Sequence, residues 1–415
     1  MNCCSQPGLL AFDQALSHIV QQLLPITDTE EIDLDHALDR VSADTILAPI
    51  SVPSSDNSAM DGYAIRASDN NSPQRAFRII GQSLAGHPFI FPTSECALSE
   101  YQSVRIMTGA TIPAGADTVV MQELTSVVDE QLIINTSIKQ GDNIRRTGED
   151  IAQNSPVIQK GHRVTALDIG LLASLGIGKI KVYRQLRVAL ISTGDELLAA
   201  GETAVRGKIF DSNRPLLKAL LQRLNIKLQD FGIIPDNPDL LSSTFVTAAT
   251  SADAIISTGG VSVGDADYTK TVLSDLGNIN FWKLAIKPGK PFAFGRINNC
   301  WFFGLPGNPV STAVTYHQLV VPGLRKLAGE IQKAPLNISA IAKQTFKKQP
   351  GRTDFQRGIL FQENGINTVL STGSQSSAVL SGMANANCFI RLDAERGSVA
   401  PGETVTVIPF DQTIR

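Results

Sequence analysis

The sequence predicts a multidomain protein of the α/β plus β class, built around a doubly wound α/β domain with a parallel-rich sheet. Strands and helices alternate between residues 184 and 330, which is typical of a parallel sheet covered by helices on both faces. Short β-type runs separated by turn residues dominate residues 54–146 and 333–415. The length of 415 residues corresponds to about two to four domains of ordinary size.

These patterns predict four domains. An amphipathic helix over residues 8–24, ended by Pro25, begins an N-terminal helical and linker domain. A second helix, Thr165 to Leu175, is expected to pack against the first and make this domain discontinuous. The predicted domains are the linker domain at 1–53 plus 147–183, a small β or mixed domain at 54–146, the α/β domain at 184–332 and a C-terminal β-barrel at 333–415.

Individual elements follow from hydrophobic periodicity. The predicted strands of the α/β domain are Leu186–Ile191, Leu228–Ile234, Ala254–Ser257, Asn280–Ile286, Phe292–Phe294 and Trp301–Leu305. Its predicted helices are Pro215–Leu224, Leu240–Thr250, Lys270–Leu276 and Pro309–Leu327. The β-type runs elsewhere are Phe77–Ile80, Ser103–Met107, Thr118–Met121, Gln131–Asn135, Asn337–Ala342, Thr368–Leu370, Cys388–Leu392 and Thr404–Ile408. Ligands of open α/β sheets bind at the carboxyl ends of the strands, so the site is expected there.

Composition excludes several classes of protein. Lys plus Arg is 36 and Asp plus Glu is 39, a net charge of −3, so no nucleic-acid partner is expected. A hydrophobic fraction of 43% excludes disorder for most of the chain. No apolar run reaches the roughly 18–20 residues of a membrane span, and the first residues lack the features of a signal peptide. We therefore expect a cytoplasmic protein without a membrane partner.

The cysteines and histidines do not predict a metal centre or disulfides. The five cysteines are an odd number and form no Cys-x-x-Cys pair, which indicates a reducing compartment with tolerated thiols. Acylation or redox activity of the adjacent Cys3 and Cys4 stays open as an alternative. The five histidines form no His-x-x-x-His pair.

A phosphate-binding loop is predicted after the third strand of the α/β domain. The segment Ser257–Asp265 carries two consecutive glycines, flanked by hydroxyl side chains, directly after a buried strand. Successive backbone N–H groups in such a loop form a nest for an anion. A tight strand-to-helix turn is the alternative, since it also needs glycine. The loop matches neither the P-loop nor the dinucleotide-binding pattern.

Acidic residues follow three neighbouring strands. Glu196 follows the first strand, Asp236 the second, and Asp265 and Asp267 the third. Carboxylates that converge at one sheet edge are suited to Mg²⁺ held together with substrate phosphates. For a single Asp, capping of a helix N-terminus is the alternative. We therefore predict Mg²⁺ as cofactor at this edge of the sheet.

A basic loop and a second strand-to-helix turn are expected at the same edge of the sheet. Lys283, Lys287 and Lys290 lie within eight residues, and prolines frame the last two. Rigid placement of these lysines suits an oxyanion pocket, whereas a solvated basic loop is the ordinary alternative. The segment 303–311 turns from strand into a helix whose N-terminus faces the same edge.

Three further segments, around residues 58–64, 107–110 and 147–151, are interpreted from chemistry alone as turns with polar side chains. No Gly-x-Ser-x-Gly pattern with a histidine partner supports a nucleophile triad.

Seven motifs in order resemble those of the molybdopterin molybdotransferases, the MoeA-like family related to the E domain of gephyrin. The match runs from the N-terminal helix to the C-terminal β region. The motifs are SAMDGYA (58–64), IMTGA (106–110), TGEDI (147–151), STGDEL (192–197), STGGVSVGDADY (257–268), KPGKP (287–291) and LPGNPVS (305–311).

The resemblance implies a transferase that catalyses the final step of molybdenum-cofactor biosynthesis. In that reaction molybdate is inserted into adenylylated molybdopterin with Mg²⁺, and AMP is released. The resemblance also implies a homodimer with its site between subunits, a dimerisation role for the linker domain, molybdopterin binding by the α/β domain, and a separate molybdopterin adenylyltransferase as a possible partner.

Site residues are carried over motif by motif. The catalytic set implied by the resemblance is Glu196, Asp236, Asp267, Asp61, Thr108 and Asp150, with Asp61 and Thr108 supplied by the partner subunit. Of these, Glu196, Asp236 and Asp267 are the implied Mg²⁺ ligands. The substrate and phosphate set is Thr193, Gly194, Thr258, Gly259, Gly260, Ser262, Gly264, Pro306, Gly307, Asn308 and Ser311. The molybdate set is Lys283, Lys287, Lys290, Arg352, Ser377 and Ser381. The segment around Ser381 departs from the arginine-containing form usual in the family. Replacement of Asp267 by Asn is expected to abolish AMP release.

Two other functions stay open on the sequence. A binding scaffold, like the receptor-anchoring role of the gephyrin E domain, has no need of the acidic residues and the lysine loop, and this chain has both. A nucleotide-dependent phosphohydrolase on the same α/β fold would release AMP from generic adenylates without a pterin.

Overall fold

The computed structural model describes residues 8–70, 76–92, 94, 96–260, 268–411 and 413–414. Its α-helices are α1 Phe12–Gln22, α2 Ala166–Ser174, α3 Asn213–Gln222, α4 Pro238–Ser251, α5 Tyr268–Leu276, α6 Pro309–Thr315, α7 Val321–Leu327 and α8 Leu380–Ala384. None of the helices in these ranges combines the length and apolar character that a membrane span needs.

The first part of the chain forms one six-stranded sheet and three strand pairs. Its strands are β1 Thr29–Asp33, β2 Ile46–Leu47, β3 Asn57–Ser58, β4 Gly62–Ile65, β5 Ala76–Ser83, β6 Gln102–Ile106, β7 Thr118–Met121, β8 Thr125–Val128, β9 Gln131–Ile134, β10 Ile144–Arg145, β11 Pro156–Ile158 and β12 Lys179–Tyr183. The sheet has the order β7-β4-β6-β5-β9-β8, and the pairs are β1 with β12, β2 with β11 and β3 with β10. The four β-type runs predicted here correspond to β5, β6, β7 and β9.

The two helices expected to pack together belong to different cores. α2 begins with a capping box in which Thr165 and Asp168 exchange side-chain and backbone hydrogen bonds. Its buried Leu172 packs with residues of β11 and β12. α1 instead packs its apolar side chains Phe12 and Ile19 onto the α/β core. The predicted packing of these helices is therefore wrong, because the amphipathic face of α1 is covered by the α/β domain. The limits of the four domains stay predictions.

The α/β part is a six-stranded sheet in the order β16-β13-β17-β21-β20-β18. The strands of this part of the chain are β13 Arg187–Thr193, β14 Leu197–Leu198, β15 Ile209–Phe210, β16 Lys227–Ile234, β17 Ala254–Thr258, β18 Asn278–Lys283, β19 Ile286–Lys287, β20 Pro291–Ile297 and β21 Cys300–Leu305. β16, β13, β17 and β21 are parallel, whereas β20 and β18 are antiparallel. Separate apolar cores cover the two faces, which confirms the parallel-rich, doubly wound prediction.

Two predicted elements are interrupted. The helix expected over Pro309–Leu327 consists of α6, a π-helical turn at Tyr316–Val320 and α7. Pro322 explains the wide turn, because it donates no N–H and its ring displaces the carbonyl four residues before it. The strand expected over Asn280–Ile286 divides into β18 and β19, and β19 leaves the α/β sheet to pair with the next domain.

The C-terminal part is a closed five-stranded barrel, as predicted. Its strands are β22 Ile338–Ala342, β23 Thr353–Glu363, β24 Ile366–Ser371, β25 Cys388–Leu392 and β26 Thr404–Pro409. The order β23-β24-β22-β26-β25 closes because β25 also pairs with β23. The sequence analysis missed β23, the longest strand, because polar side chains such as Asp354, Gln356 and Arg357 interrupt its apolar pattern. All three are buried.

Candidate functional site

A cavity of about 750 Å³ opens where the α/β sheet meets the barrel. The carboxyl ends of β13, β17 and β21 form one wall, and residues 352 and 375–377 of the barrel form another. The predicted site residues that line it are Thr193, Glu196, Thr258, Gly259, Gly260, Lys287, Lys290, Pro306, Gly307, Asn308, Ser311, Arg352 and Ser377. The structure thus brings segments more than 180 residues apart into one cavity.

The glycine pair after β17 forms the floor of this cavity. Gly259 and Gly260 both have positive φ, at 89° and 60°. A Cβ at Gly259 would overlap the backbone carbonyl oxygen of Thr193, and one at Gly260 would overlap the side chain of Thr269. Thr193 Oγ1 is buried and has no hydrogen-bond partner among the described residues. The loop therefore leaves backbone and hydroxyl groups open to an anion. Ser262 and Gly264, predicted for the same loop, lie outside the described residues.

Asn213 joins two loops of the floor and was missed by the sequence analysis. Its Nδ2 donates to Thr258 Oγ1 at 2.9 Å and to the Gly307 carbonyl oxygen at 2.7 Å. The residue is only 8% exposed, and its Oδ1 has no hydrogen-bond partner in the described part of the chain. Asn213 begins α3, so its polar side chain at a helix start was the available signal.

An Asn213→Ala variant is expected to lose about 1–3 kcal/mol of unfolding free energy, because the hydrogen-bond acceptors Thr258 and Gly307 lose their shared donor. Urea denaturation monitored by circular dichroism measures the loss. Ser212→Ala is the matched control, since Ser212 also lines the cavity but its side chain makes no capping hydrogen bond to α3. An unchanged denaturation midpoint in Asn213→Ala would contradict the assignment.

The lysine loop is held by the barrel. Lys287 lies in β19, which pairs with β23, and its Nζ is 3.6 Å from Asp354 Oδ2. Asp354 is 3% exposed and also accepts a hydrogen bond from Gln356 Nε2 at 3.0 Å. Lys290 and Arg352 line the same side of the cavity with exposed or half-buried side chains. Three cationic side chains thus converge on a rigid wall, which favours an oxyanion site over a solvated basic loop.

Not every residue of the predicted molybdate set lines the cavity. Ser377 does, and its carbonyl oxygen accepts a hydrogen bond from the Val310 N–H of α6 at 3.1 Å. Lys283 at the end of β18 and Ser381 in α8 are exposed and are not among the lining residues. Ser376, which belongs to the Ser376–Ser381 serines implied by the resemblance, also lines it, as does Gln375, which the sequence analysis did not select.

Two of the acidic strand ends meet directly. The Asp195 N–H donates to Asp236 Oδ2 at 3.3 Å, and the Asp236 N–H donates to Asp195 Oδ1 at 3.1 Å. Burial raises the pKa of Asp236, and the nearby charges of Asp195 and Glu196 raise it further. Glu196 lines the cavity, whereas Asp236 and Gly194 are not among its lining residues. This crowding of like charges favours a bound cation.

The donor set here fits Mg²⁺ in part. Glu196 and Asp236 offer only oxygen ligands, and proteins usually bind Mg²⁺ through one or two carboxylates together with substrate phosphates. Within the described ranges no group of three or more His, Cys, Asp or Glu side chains is arranged to hold a metal. The third predicted ligand, Asp267, lies outside those ranges.

Asp61 and Thr108 of the predicted small β domain contact each other, whereas Asp150 lies in the predicted linker domain. Asp61 Oδ1 accepts hydrogen bonds from the N–H and the Oγ1 of Thr108, both at 2.7 Å, and these bonds lower the pKa of Asp61. The Asp150 N–H donates to the Val52 carbonyl oxygen at 3.0 Å. None of Asp61, Thr108 and Asp150 is among the lining residues of the cavity. A single chain therefore does not place them there.

Asp56, another carboxylate of the predicted small β domain, was not selected from the sequence. Asp56 accepts hydrogen bonds from the N–H and Oγ1 of Thr147 and from Arg146 Nη1, at 2.8, 2.9 and 2.7 Å. The Thr147 N–H bond and the Arg146 side chain lower its pKa.

The apolar edge of the cavity was also missed by the sequence analysis. Ile209 and Phe210 of β15 line the cavity and are 60% and 47% exposed. No periodic pattern marked this two-residue strand.

Comparison with known proteins identifies the family. Sequence models of the MoeA N-terminal region (domain I and II), a probable molybdopterin binding domain and the MoeA C-terminal region (domain IV) match residues 10–176, 189–326 and 339–410. A molybdopterin molybdenumtransferase from Haemophilus influenzae is 47% identical over 98% of this chain and 100% of its own length. The chain belongs to the MoeA family.

Further MoeA relatives agree. A molybdopterin molybdenumtransferase from Nostoc is 33% identical over 94% of this chain and 91% of its own length. Gephyrin from Dictyostelium discoideum is 34% identical over 97% of this chain, which spans 62% of that longer protein. The structure of a molybdopterin biosynthesis MoeA protein from Pyrococcus horikoshii superimposes with a TM-score of 0.82 at 27% identity, covering 97% of this chain and 100% of the other. Membership in the MoeA family confirms the resemblance and the transferase class.

Proposed function

We propose that this protein inserts molybdate into adenylylated molybdopterin in a Mg²⁺-dependent reaction that forms molybdenum cofactor and releases AMP. The observation that carries the proposal is one cavity that joins a glycine nest, a cationic wall and an acidic strand end. Phosphate, oxyanion and metal are the three chemical groups that such a reaction must hold together. The MoeA relatives support this choice of substrate by their names.

The nest binds the phosphate groups of the substrate. Backbone N–H groups of the glycine loop donate to an anion at the end of β17, and so does the Thr193 hydroxyl, whose Oγ1 has no hydrogen-bond partner among the described residues. Asn213 fixes the nest relative to the turn at Gly307. The exposed ring of Phe210 lies at the same mouth and covers the apolar part of the substrate.

The cationic wall gathers molybdate. Lys287, Lys290 and Arg352 attract the dianion, and Asp354 holds the Lys287 ammonium group at the wall. The hydroxyl groups of Ser376 and Ser377, which line the cavity, donate hydrogen bonds to the oxyanion. Holding molybdate beside the pterin converts a bimolecular step into an oriented reaction within one complex.

The acidic residues control the bond between the pterin phosphate and AMP. Bound Mg²⁺ would neutralise phosphate charge there. Glu196 and Asp236 would hold the ion, with Asp267 as the proposed third ligand. Their carboxylates also place a water molecule: its oxygen bonds to a phosphorus of the phosphoanhydride, the P–O bond to the leaving phosphate breaks, and AMP and the pterin phosphate separate.

The deciding experiment is AMP release from adenylylated molybdopterin with Mg²⁺, measured with and without molybdate. We expect molybdate-dependent release, reduced roughly 10²–10³-fold in Glu196→Gln because a carboxylate ligand of the Mg²⁺ that neutralises the reacting phosphate is lost. Glu202→Gln is the matched control: Glu202 follows β14 on the same segment and does not line the cavity.

Two results would replace this proposal. AMP release from generic adenylates without molybdate would establish a phosphohydrolase. Tight binding of the pterin adenylate without turnover would establish a scaffold or carrier.

The assembly is part of the same proposal. The cavity of a single chain is not lined by Asp61, Thr108 or Asp150. A homodimer would let one subunit supply Asp61 and Thr108 to the other. A molybdopterin adenylyltransferase is the proposed source of the substrate, and the cytoplasm is the proposed location.

A further inference from the structure

The 374–377 loop, defined here as Ser374 to Ser377, forms the barrel side of the cavity without regular secondary structure. Such a segment keeps its shape only if other groups hold its backbone. One buried side chain does so. Arg357 of β23 is 1% exposed and is among the largest fully buried side chains of the described residues.

The guanidinium group of Arg357 binds three consecutive carbonyl oxygens of this loop. Its Nη2 donates to Ser374 O at 2.9 Å and to Ser376 O at 3.0 Å. Its Nη1 donates to Gln375 O at 3.2 Å. The loop backbone therefore curves around a single planar cation.

A second pair of hydrogen bonds fixes the register of the loop on β23. The Arg357 N–H donates to Gln375 Oε1 at 2.8 Å, and Gln375 Nε2 donates back to the Arg357 carbonyl oxygen at 3.1 Å. The far end is tied by Val310 N–H to Ser377 O. The 374–377 loop is thus clamped between the barrel and α6, beside Lys287 and Arg352 in the cavity lining.

Burial of the Arg357 guanidinium charge has an unfavourable free energy, which an apolar side chain at this position would not have. This indicates that Arg357 has a role other than packing. Burial lowers the pKa of Arg357, and the nearby Asp354 carboxylate opposes that effect. Asp354 is also the residue that contacts Lys287. β23 therefore carries a buried acid that contacts Lys287 and a buried cation that holds the 374–377 loop, and Lys287 and this loop line the same cavity.

We propose that Arg357 is a positioning residue for the oxyanion: it shapes the 374–377 loop so that this loop and the cationic wall enclose a tetrahedral dianion. The inference rests on the proposed function, because molybdate is the dianion concerned. A lysine cannot replace the arginine, since a single ammonium group lacks the planar fork that reaches all three carbonyl oxygens.

The test compares Arg357→Lys with the parent enzyme in the AMP-release assay, varying molybdate. We expect the KM for molybdate to rise about tenfold or more because the oriented contacts are lost, with kcat at saturating molybdate close to the parent value. Binding of the pterin adenylate, measured by calorimetry without molybdate, is expected to stay unchanged. Lys290→Ala serves as the comparator that raises the KM for molybdate by direct loss of a contact.

Arg396→Lys is the matched control, because Arg396 lies in the same barrel, pairs with Glu403 and does not line the cavity. A parent-like KM for molybdate in Arg357→Lys overturns the inference, and so does a loss confined to Tm and kcat, which is what a merely structural role predicts. If Arg357→Lys does not fold, Gln375→Ala loosens the same loop without touching the buried charge and must show the same KM effect. Absence of molybdate-dependent AMP release in the parent enzyme overturns the proposed function instead.

Discussion

A Gly259→Ala variant is expected to lose binding of the pterin adenylate and to unfold at a lower denaturant concentration. The φ of 89° at this position costs an alanine roughly 1–2 kcal/mol. The added methyl group also overlaps the Thr193 carbonyl oxygen, which belongs to the backbone of the interior strand β13 and cannot move aside as a flexible side chain would. Overpacking of this kind adds about 1–3 kcal/mol.

Gly178→Ala is the matched control for that experiment. Gly178 does not line the cavity, its φ is not positive, and no atom lies within 4 Å of an added Cβ. Calorimetric titration with the pterin adenylate and urea denaturation are expected to separate the two variants. Parent-like affinity in Gly259→Ala would show that the loop is only a strand-to-helix turn and does not hold the phosphates.

An Asp236→Asn variant is expected to lose AMP release by roughly 10²–10³-fold and to become more stable at neutral pH. The folded protein raises the pKa of this carboxyl group by burial and by the charges of Asp195 and Glu196. A raised pKa means that the folded state prefers the protonated group. The parent protein therefore loses stability as pH rises through that pKa. Asparagine resembles the protonated form, so it removes the loss.

The difference in Tm between Asp236→Asn and the parent protein is expected to depend on pH. The Tm advantage of Asp236→Asn is expected at pH 7 without Mg²⁺ and should vanish as pH falls below the ordinary carboxyl pKa, where the parent carboxyl is protonated in both states. Mg²⁺ requires the carboxylate, so Mg²⁺ should stabilise the parent protein increasingly as pH rises, and the variant much less. Asp239→Asn is the control, since Asp239 is exposed in the first turn of α4 nearby. Equal Tm values with and without Mg²⁺ in the parent would contradict a metal site here.

The sequence predicted most of one wall of the cavity. The glycine pair, the lysine loop and the Pro306–Ser311 turn were each recognisable because they follow apolar strands directly. Their chemistry depends on neighbouring residues in the chain: positive φ at Gly259 and Gly260 requires glycine, and prolines fix the backbone around Lys287.

The opposite wall was not predictable in the same way. β23 has buried polar residues where a strand pattern requires apolar ones, so it was missed, and with it the roles of Asp354 and Arg357. Asn213 looked like an ordinary residue at a helix start. Each of these side chains acts on a segment remote in sequence, and periodicity carries no information about such partners.

The sequence by itself determined the α/β alternation, the barrel, the glycine nest and the family, because these depend on local periodicity, backbone conformation and ordered motifs. Tertiary structure alone decided which walls meet. β19 leaves the α/β sheet for the barrel, so Lys287 contacts Asp354. Closure of the barrel places Arg357 under the 374–377 loop. The physical reason is that contacts between distant segments form only when the two domains pack together. A polar side chain buried by that packing needs a hydrogen-bonding or charged partner, and the partner comes from the distant segment.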